Sequence, residues 1–82
     1  MSSVTSDALA EYIRVELELG FTFASMAAIG GENAFIRNRE HVRRVCQTVR
    51  HFMGRVPQDR KVKFLDVLDG LEDRLRILDS QP

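Results

Sequence analysis

The chain has 82 residues and a mass of 9.4 kDa, enough for one domain and no second. Twelve Lys and Arg residues balance twelve Asp and Glu, so no whole-molecule field exists to attract nucleic acid or an anionic membrane. The single cysteine excludes an internal disulfide and fits a reducing, cytoplasmic setting, and 44% hydrophobic with 29% charged residues argues against disorder.

The opening MSSVTSDALAEY lacks the basic and apolar regions of a signal peptide. Periodicity predicts a first helix over about residues 6–29, with Thr5 and Ser6 as N-cap candidates. At 100° per residue, Leu9, Tyr12, Ile13, Gly20, Phe23, Ala24 and Ala27 share one face, with Leu17 at its edge. Glu16 falls in the middle of that face. A buried carboxylate needs a cation or hydrogen bonds, so Glu16 is expected to form a register-fixing ion pair with Arg39 or Arg43. Tyr12 is expected as a second structural polar group, and a catalytic or ligand-binding acid is the alternative role for Glu16. Gly30-Gly31 should end the helix through a left-handed glycine. The longest uncharged stretch, residues 19–31, is 13 residues, short of the roughly 20 that a spanning helix needs.

A second helix is predicted over about residues 33–55, its clearest periodicity starting at Asn38. Val42, Val45, Cys46, Val49, Phe52, Met53 and Val56 follow a seam of threes and fours. Four of these are β-branched valines, which favour strand, but strand alternation would split Val42 and Val45 between two faces. The helical period decides. The third helix should run over about residues 58–79 behind Pro57, with Phe64, Leu65, Leu68, Leu71, Leu75 and Leu78 inward and Gly70 toward solvent. The expected fold is all-α, an up-down-up antiparallel three-helix bundle forming one domain over residues 1–82. Val15, Leu19, Met26, Val62 and Ile77 lie off the main stripes, which together favours self-association.

No residue pattern carries a recognisable chemistry. His41, Cys46 and His51 are five residues apart, so successive side chains diverge by about 140° and cannot meet on one metal ion. Neither a Glu-x-x-His pair nor a glycine-rich phosphate loop occurs. No base stands beside a nucleophile, and no metal, cofactor or catalytic residue is predicted.

Charge is unevenly placed. Residues 1–31 sum to −3, residues 32–56 to +4 and residues 57–82 to −1. Six arginines lie between positions 37 and 55 against one acid, Glu40. Arg39, Arg43 and Arg50 share one flank of the second helix, while Arg37, Arg44 and Arg55 share another with His51. The acidic first helix and the basic second helix are expected to pack together and partly cancel.

The run Tyr12-Ile13-Arg14-Val15-Glu16-Leu17-Glu18-Leu19-Gly20-Phe21-Thr22-Phe23, followed by Arg37-Asn38-Arg39, resembles small bacterial helical-bundle proteins to which no activity is attached. A topological likeness to tetratricopeptide hairpins lacks the 34-residue repeat of those proteins. Both likenesses imply a cytoplasmic protein that works through contacts. The sequence therefore predicts a protein-interaction or regulatory adaptor, binding a protein partner or a second copy of itself. Arg39, Arg43, Arg44 and Arg50 are the expected polar contacts, with Phe21, Phe23 and Met26 as apolar anchors. The alternative is a nucleic-acid-associated protein using the second helix, against which the zero net charge and the missing aromatic platform count.

Overall fold

A computed structural model describes the backbone of residues 2–81 and the side chains of residues 7–81. Three helices, α1 (Ser2–Ile29), α2 (Glu32–Phe52) and α3 (Gln58–Asp79), are joined by Gly30-Gly31 and by a single 3₁₀ turn, Met53–Arg55. All three pairs of helices pack together, and the bundle measures 46 × 19 × 16 Å. Asp7 near the start of α1 meets Arg60 near the start of α3, while Arg43 and Arg50 of α2 meet Asp79 and Glu72 of α3 in reverse order. The topology is up-down-up, as the periodicity predicts.

The inward face of α1 is a strict seam of alternating threes and fours: Ala10, Ile13, Leu17, Gly20, Ala24 and Ala27 are all buried. Four of the six are alanine or glycine, so α2 lies close against α1. The face is rotated by roughly 50° from the one expected. Large residues at Tyr12 and Phe23 pulled the expected face toward themselves, whereas the close helix–helix approach selects the small ones.

Helix ends depart from expectation in two places. α1 is already helical from Ser2, ahead of the expected start, and the side chains of Thr5 and Ser6, the expected N-caps, lie outside the described residues. No glycine in the described residues has a positive φ. Instead Gly31 is extended (φ −74°, ψ −175°) and serves as the N-cap of α2, while the Gly30 N–H donates back to the Met26 carbonyl at 3.1 Å. Pro57 likewise sits at the N-cap position of α3, just outside its first turn.

Val42, Val45, Cys46 and Val49 of α2, then Met53 and Val56, fill the centre against Leu68, Leu71 and Leu78 of α3. Phe64, Leu65 and Leu75 pack at the margins. Asn38, expected near the start of α2, lies one full turn inside it and is buried in the seam, its Nδ2 donating to the Ala34 carbonyl at 2.9 Å. The spacing 38, 42, 45, 49 already places it on that seam.

Gly70 is not turned to open solvent. A Cβ at this position would stand 3.8 Å from Phe21 Cζ, in ordinary van der Waals contact. Gly70→Ala therefore adds helix propensity and a small contact without strain. It should stabilise the fold by about 0.5–1 kcal/mol, measured as a rise in the urea midpoint.

Candidate interaction surface

The two arginine flanks of α2 have different fates. On the side of α3, Arg43 donates to Asp79 Oδ1 at 2.7 Å and also contacts Glu40 at 3.3 Å. Arg50 grips Glu72 with two hydrogen bonds, at 2.7 and 3.0 Å, in the bidentate geometry that suits guanidinium and carboxylate. These hydrogen bonds, donated to Asp79 and Glu72, raise both guanidinium pKa values above their ordinary range. Arg39 lies over the Phe35 ring at 5.3 Å, with its buried Nε 3.7 Å from Asp79 and hydrogen-bonded to nothing. Three of the four arginines expected as polar contacts are thus engaged within the bundle.

The expected cancellation between α1 and α2 does not occur. Among the described residues no ion pair joins these two helices. Glu11 and Glu18 instead share Arg14 on α1 itself, and the guanidinium hydrogen bond holds the Glu11 carboxyl below its ordinary pKa. Apart from Glu40 on α2 itself, the acids that receive the α2 arginines come from α3. Small apolar residues of α1, flanked by the Tyr12–Phe52 and Phe23–His41 ring contacts, line the α1–α2 contact.

Glu16 follows from the same rotation. It is half-buried at the edge of the α1 seam, not at its centre, and pairs with neither Arg39 nor Arg43. Both proposed partners are on the opposite flank of α2, committed to Asp79. Tyr12 is 44% exposed and contributes an edge-on ring contact with Phe52 at 5.8 Å between centroids. Phe23 stacks on His41 at 4.7 Å. Phe21 is half-buried beside Gly70 and Arg74, whose guanidinium lies 6.0 Å from its ring. Of the three expected apolar anchors only Met26 stands outward.

One broad open face is formed by the outer sides of α1 and α2, while α3 separately exposes Val62, Val67 and Ile77. On α1, Tyr12, Val15, Leu19 and Met26 are 44%, 39%, 42% and 46% exposed. Their spacing is again three and four, continued by exposed Ala8, Thr22 and Ile29. A second seam therefore runs the length of α1, open to solvent except where Tyr12 meets the Phe52 ring. Beside it on α2 stand Arg37, Arg44 and Arg55, which have no carboxylate partner among the described residues; Arg55 rests over the Phe52 ring at 5.8 Å. Sequence reasoning singled out most of these residues separately. It missed the seam because Thr22 interrupts it and because Tyr12 fell within the expected inward face.

His51 meets the edge of Phe52 at 5.0 Å, and His41 is occupied by Phe23. No group of three or more His, Cys, Asp or Glu among the described residues is placed to hold a metal ion. A cleft of about 420 Å³ opens between the C-terminal ends of α1 and α3, floored by Ala24, Ala27 and Gly30, with Arg74 on its rim. No helix among the described residues is long and apolar enough to cross a membrane.

Burial, with the Glu72 carboxylate adding to it, pushes the Cys46 thiol up to about 11. At pH 8 the folded protein should be alkylated far more slowly than the urea-unfolded chain, since the thiolate is the reacting form. The folded state favours the neutral thiol. Its contribution to stability is complete below the unfolded pKa near 9 and is lost as pH rises toward 11. Unfolding free energy should therefore fall over that window in wild type, and fall less in Cys46→Ala; equal slopes would refute the assignment.

No family model matches this sequence, and no characterised protein or solved structure matches it.

Proposed function

We propose that the protein is a small interaction module, an adaptor or regulatory partner that works through the outer face of α1 and α2. The observation that carries this reading is the exposed apolar seam Tyr12–Val15–Leu19–Met26 lying beside Arg37, Arg44 and Arg55, which have no carboxylate partner among the described residues. Apolar residues bordered by arginine are the composition of protein-binding surfaces. A bundle this small already has a filled core, so the exposed seam is surplus to folding. A reducing, cytoplasmic location agrees with a lone, buried thiol.

Tagged wild type and Leu19→Glu, expressed in the native cell, test the reading. Partners held by the wild type and lost by the variant support it; partners held equally by both refute it. One observation favours nucleic acid as a second reading: three arginines in a line along α2 have no internal carboxylate. Gel retardation whose affinity falls with salt at a log–log slope of about −2.7, the value for three phosphate contacts, would establish that reading in place of the first.

A further inference from the structure

We infer that the partner of this face is a second copy of the chain, with the two α1 helices paired in parallel about a twofold axis along the apolar seam. The inference deepens the interaction-module reading and rests on it. Its basis is the order of charges across the face. Glu11 and Glu18 form the edge nearer α3, where they remain net negative after sharing Arg14. The apolar seam comes next, and Arg37, Arg44 and Arg55 form the far edge. Glu16, in the groove between α1 and α2, reduces the positive edge without reversing it.

Two ways exist to place such a face against itself. Turning the second copy about an axis perpendicular to the helices makes the α1 helices antiparallel and sets each acidic edge against the other. Turning it about an axis along the helices makes them parallel and sets each acidic edge against the partner's basic edge. Only the second is complementary. The heights also agree. The ring contacts Tyr12–Phe52 and Phe23–His41 fix the register of α1 against α2, which puts Glu18 near the level of Arg44, and Glu11 between the levels of His51 and Arg55. In the parallel pair these levels are preserved across the axis.

Size is adequate for a modest dimer. From Ala8 to Ile29 the seam is about 33 Å long at 1.5 Å per residue. Multiplied by the 19 Å width of the bundle, it offers roughly 630 Å² per copy, somewhat below the approximately 800 Å² typical of a stable interface. Micromolar self-affinity is expected. The seam residues repeat every seven positions in the manner of a two-stranded coiled coil, with like residues meeting like across the axis.

Sedimentation equilibrium at physiological salt tests this directly. Wild type should dimerise, and Leu19→Glu should be monomeric with unchanged helicity. Glu18→Arg and Arg44→Glu should each weaken the dimer about tenfold, and the two together should restore it. Under oxidation Met26→Cys should cross-link to itself, because only the parallel arrangement brings this off-centre position to its own copy. A wild type monomeric to about 0.5 mM, in the millimolar range that marks negligible affinity, overturns the inference. So does a dimer indifferent to the charge exchange, or one in which Met26→Cys fails to cross-link. If wild type is monomeric yet captures a cellular protein that Leu19→Glu releases, self-pairing fails and the interaction-module reading survives; if nothing depends on Leu19, both fail.

Discussion

Leu71→Ala should lower the unfolding free energy by about 3 kcal/mol, within the 2–5 kcal/mol range for emptying a fully buried leucine site. Leu71 has zero exposure and lies at the layer where all three helices meet, opposite Gly20 of α1 and Val45 of α2. The site cannot collapse easily. Closing the cavity requires one helix to move toward the others, and the ion pairs Arg50–Glu72 and Arg43–Asp79 tie α3 along α2 from this layer toward the C-terminal end of α3. Domains of this size have roughly 4–12 kcal/mol of total stability, so the loss is a large fraction of the whole. Urea unfolding followed by circular dichroism should show a midpoint fall of about 2–3 M, taking a slope near 1 kcal/mol per molar. Ile77→Ala, at a position 58% exposed on the same helix, should stay within about 0.5 kcal/mol of wild type. A Leu71 loss of under about 1 kcal/mol would mean the layer does not carry the core.

The fold was legible because period is a strong signal. Val42, Val45, Cys46, Val49, Met53 and Val56, and Leu68, Leu71 and Leu78 of α3, are buried where spacing puts them, despite valine's preference for strand. α1 was legible as a helix but not in its orientation. Two seams of threes and fours run along it, one at Ala10, Ile13, Leu17, Gly20, Ala24 and Ala27, the other at Tyr12, Val15, Leu19 and Met26. Hydrophobicity alone ranks the second above the first, or averages them, as happened with Glu16. Packing reverses the order, because small side chains let α2 approach closely and so allow more of the flanking apolar surface to be covered. The consequence reaches function: a helix that turns its small residues inward leaves its larger ones outside. The arginines show the other limit. Angular position separated Arg39, Arg43 and Arg50 from Arg37, Arg44 and Arg55, but which set meets carboxylates depends on where α3 lies, and a single-helix projection does not contain that.

Gly20→Ala should destabilise the protein by about 1–2 kcal/mol, although the same change at Gly70 stabilises it. Helix propensity alone favours alanine at both sites by up to about 1 kcal/mol. At Gly20 the added Cβ would fall 2.5 Å from Leu71 Cδ2 and 3.0 Å from Val45 Cγ1, closer than carbon atoms can pack. Leu71 and Val45 are themselves buried, so neither has an empty rotamer to retreat into, and overpacking of this kind costs about 1–3 kcal/mol. The decisive experiment is the double-mutant cycle with Leu71→Ala. Once the leucine is shortened, the obstruction is gone and the methyl group refills part of the cavity. Gly20→Ala in that background should become neutral or mildly stabilising, giving a coupling of at least about 1 kcal/mol between positions 20 and 71. Additive effects would show that Gly20 and Leu71 do not meet. The cycle also bears on the outer face, since this contact sets the rotation of α1: if Gly20 is the point of closest approach, Leu19 and Met26 must stand outward, available to a second chain.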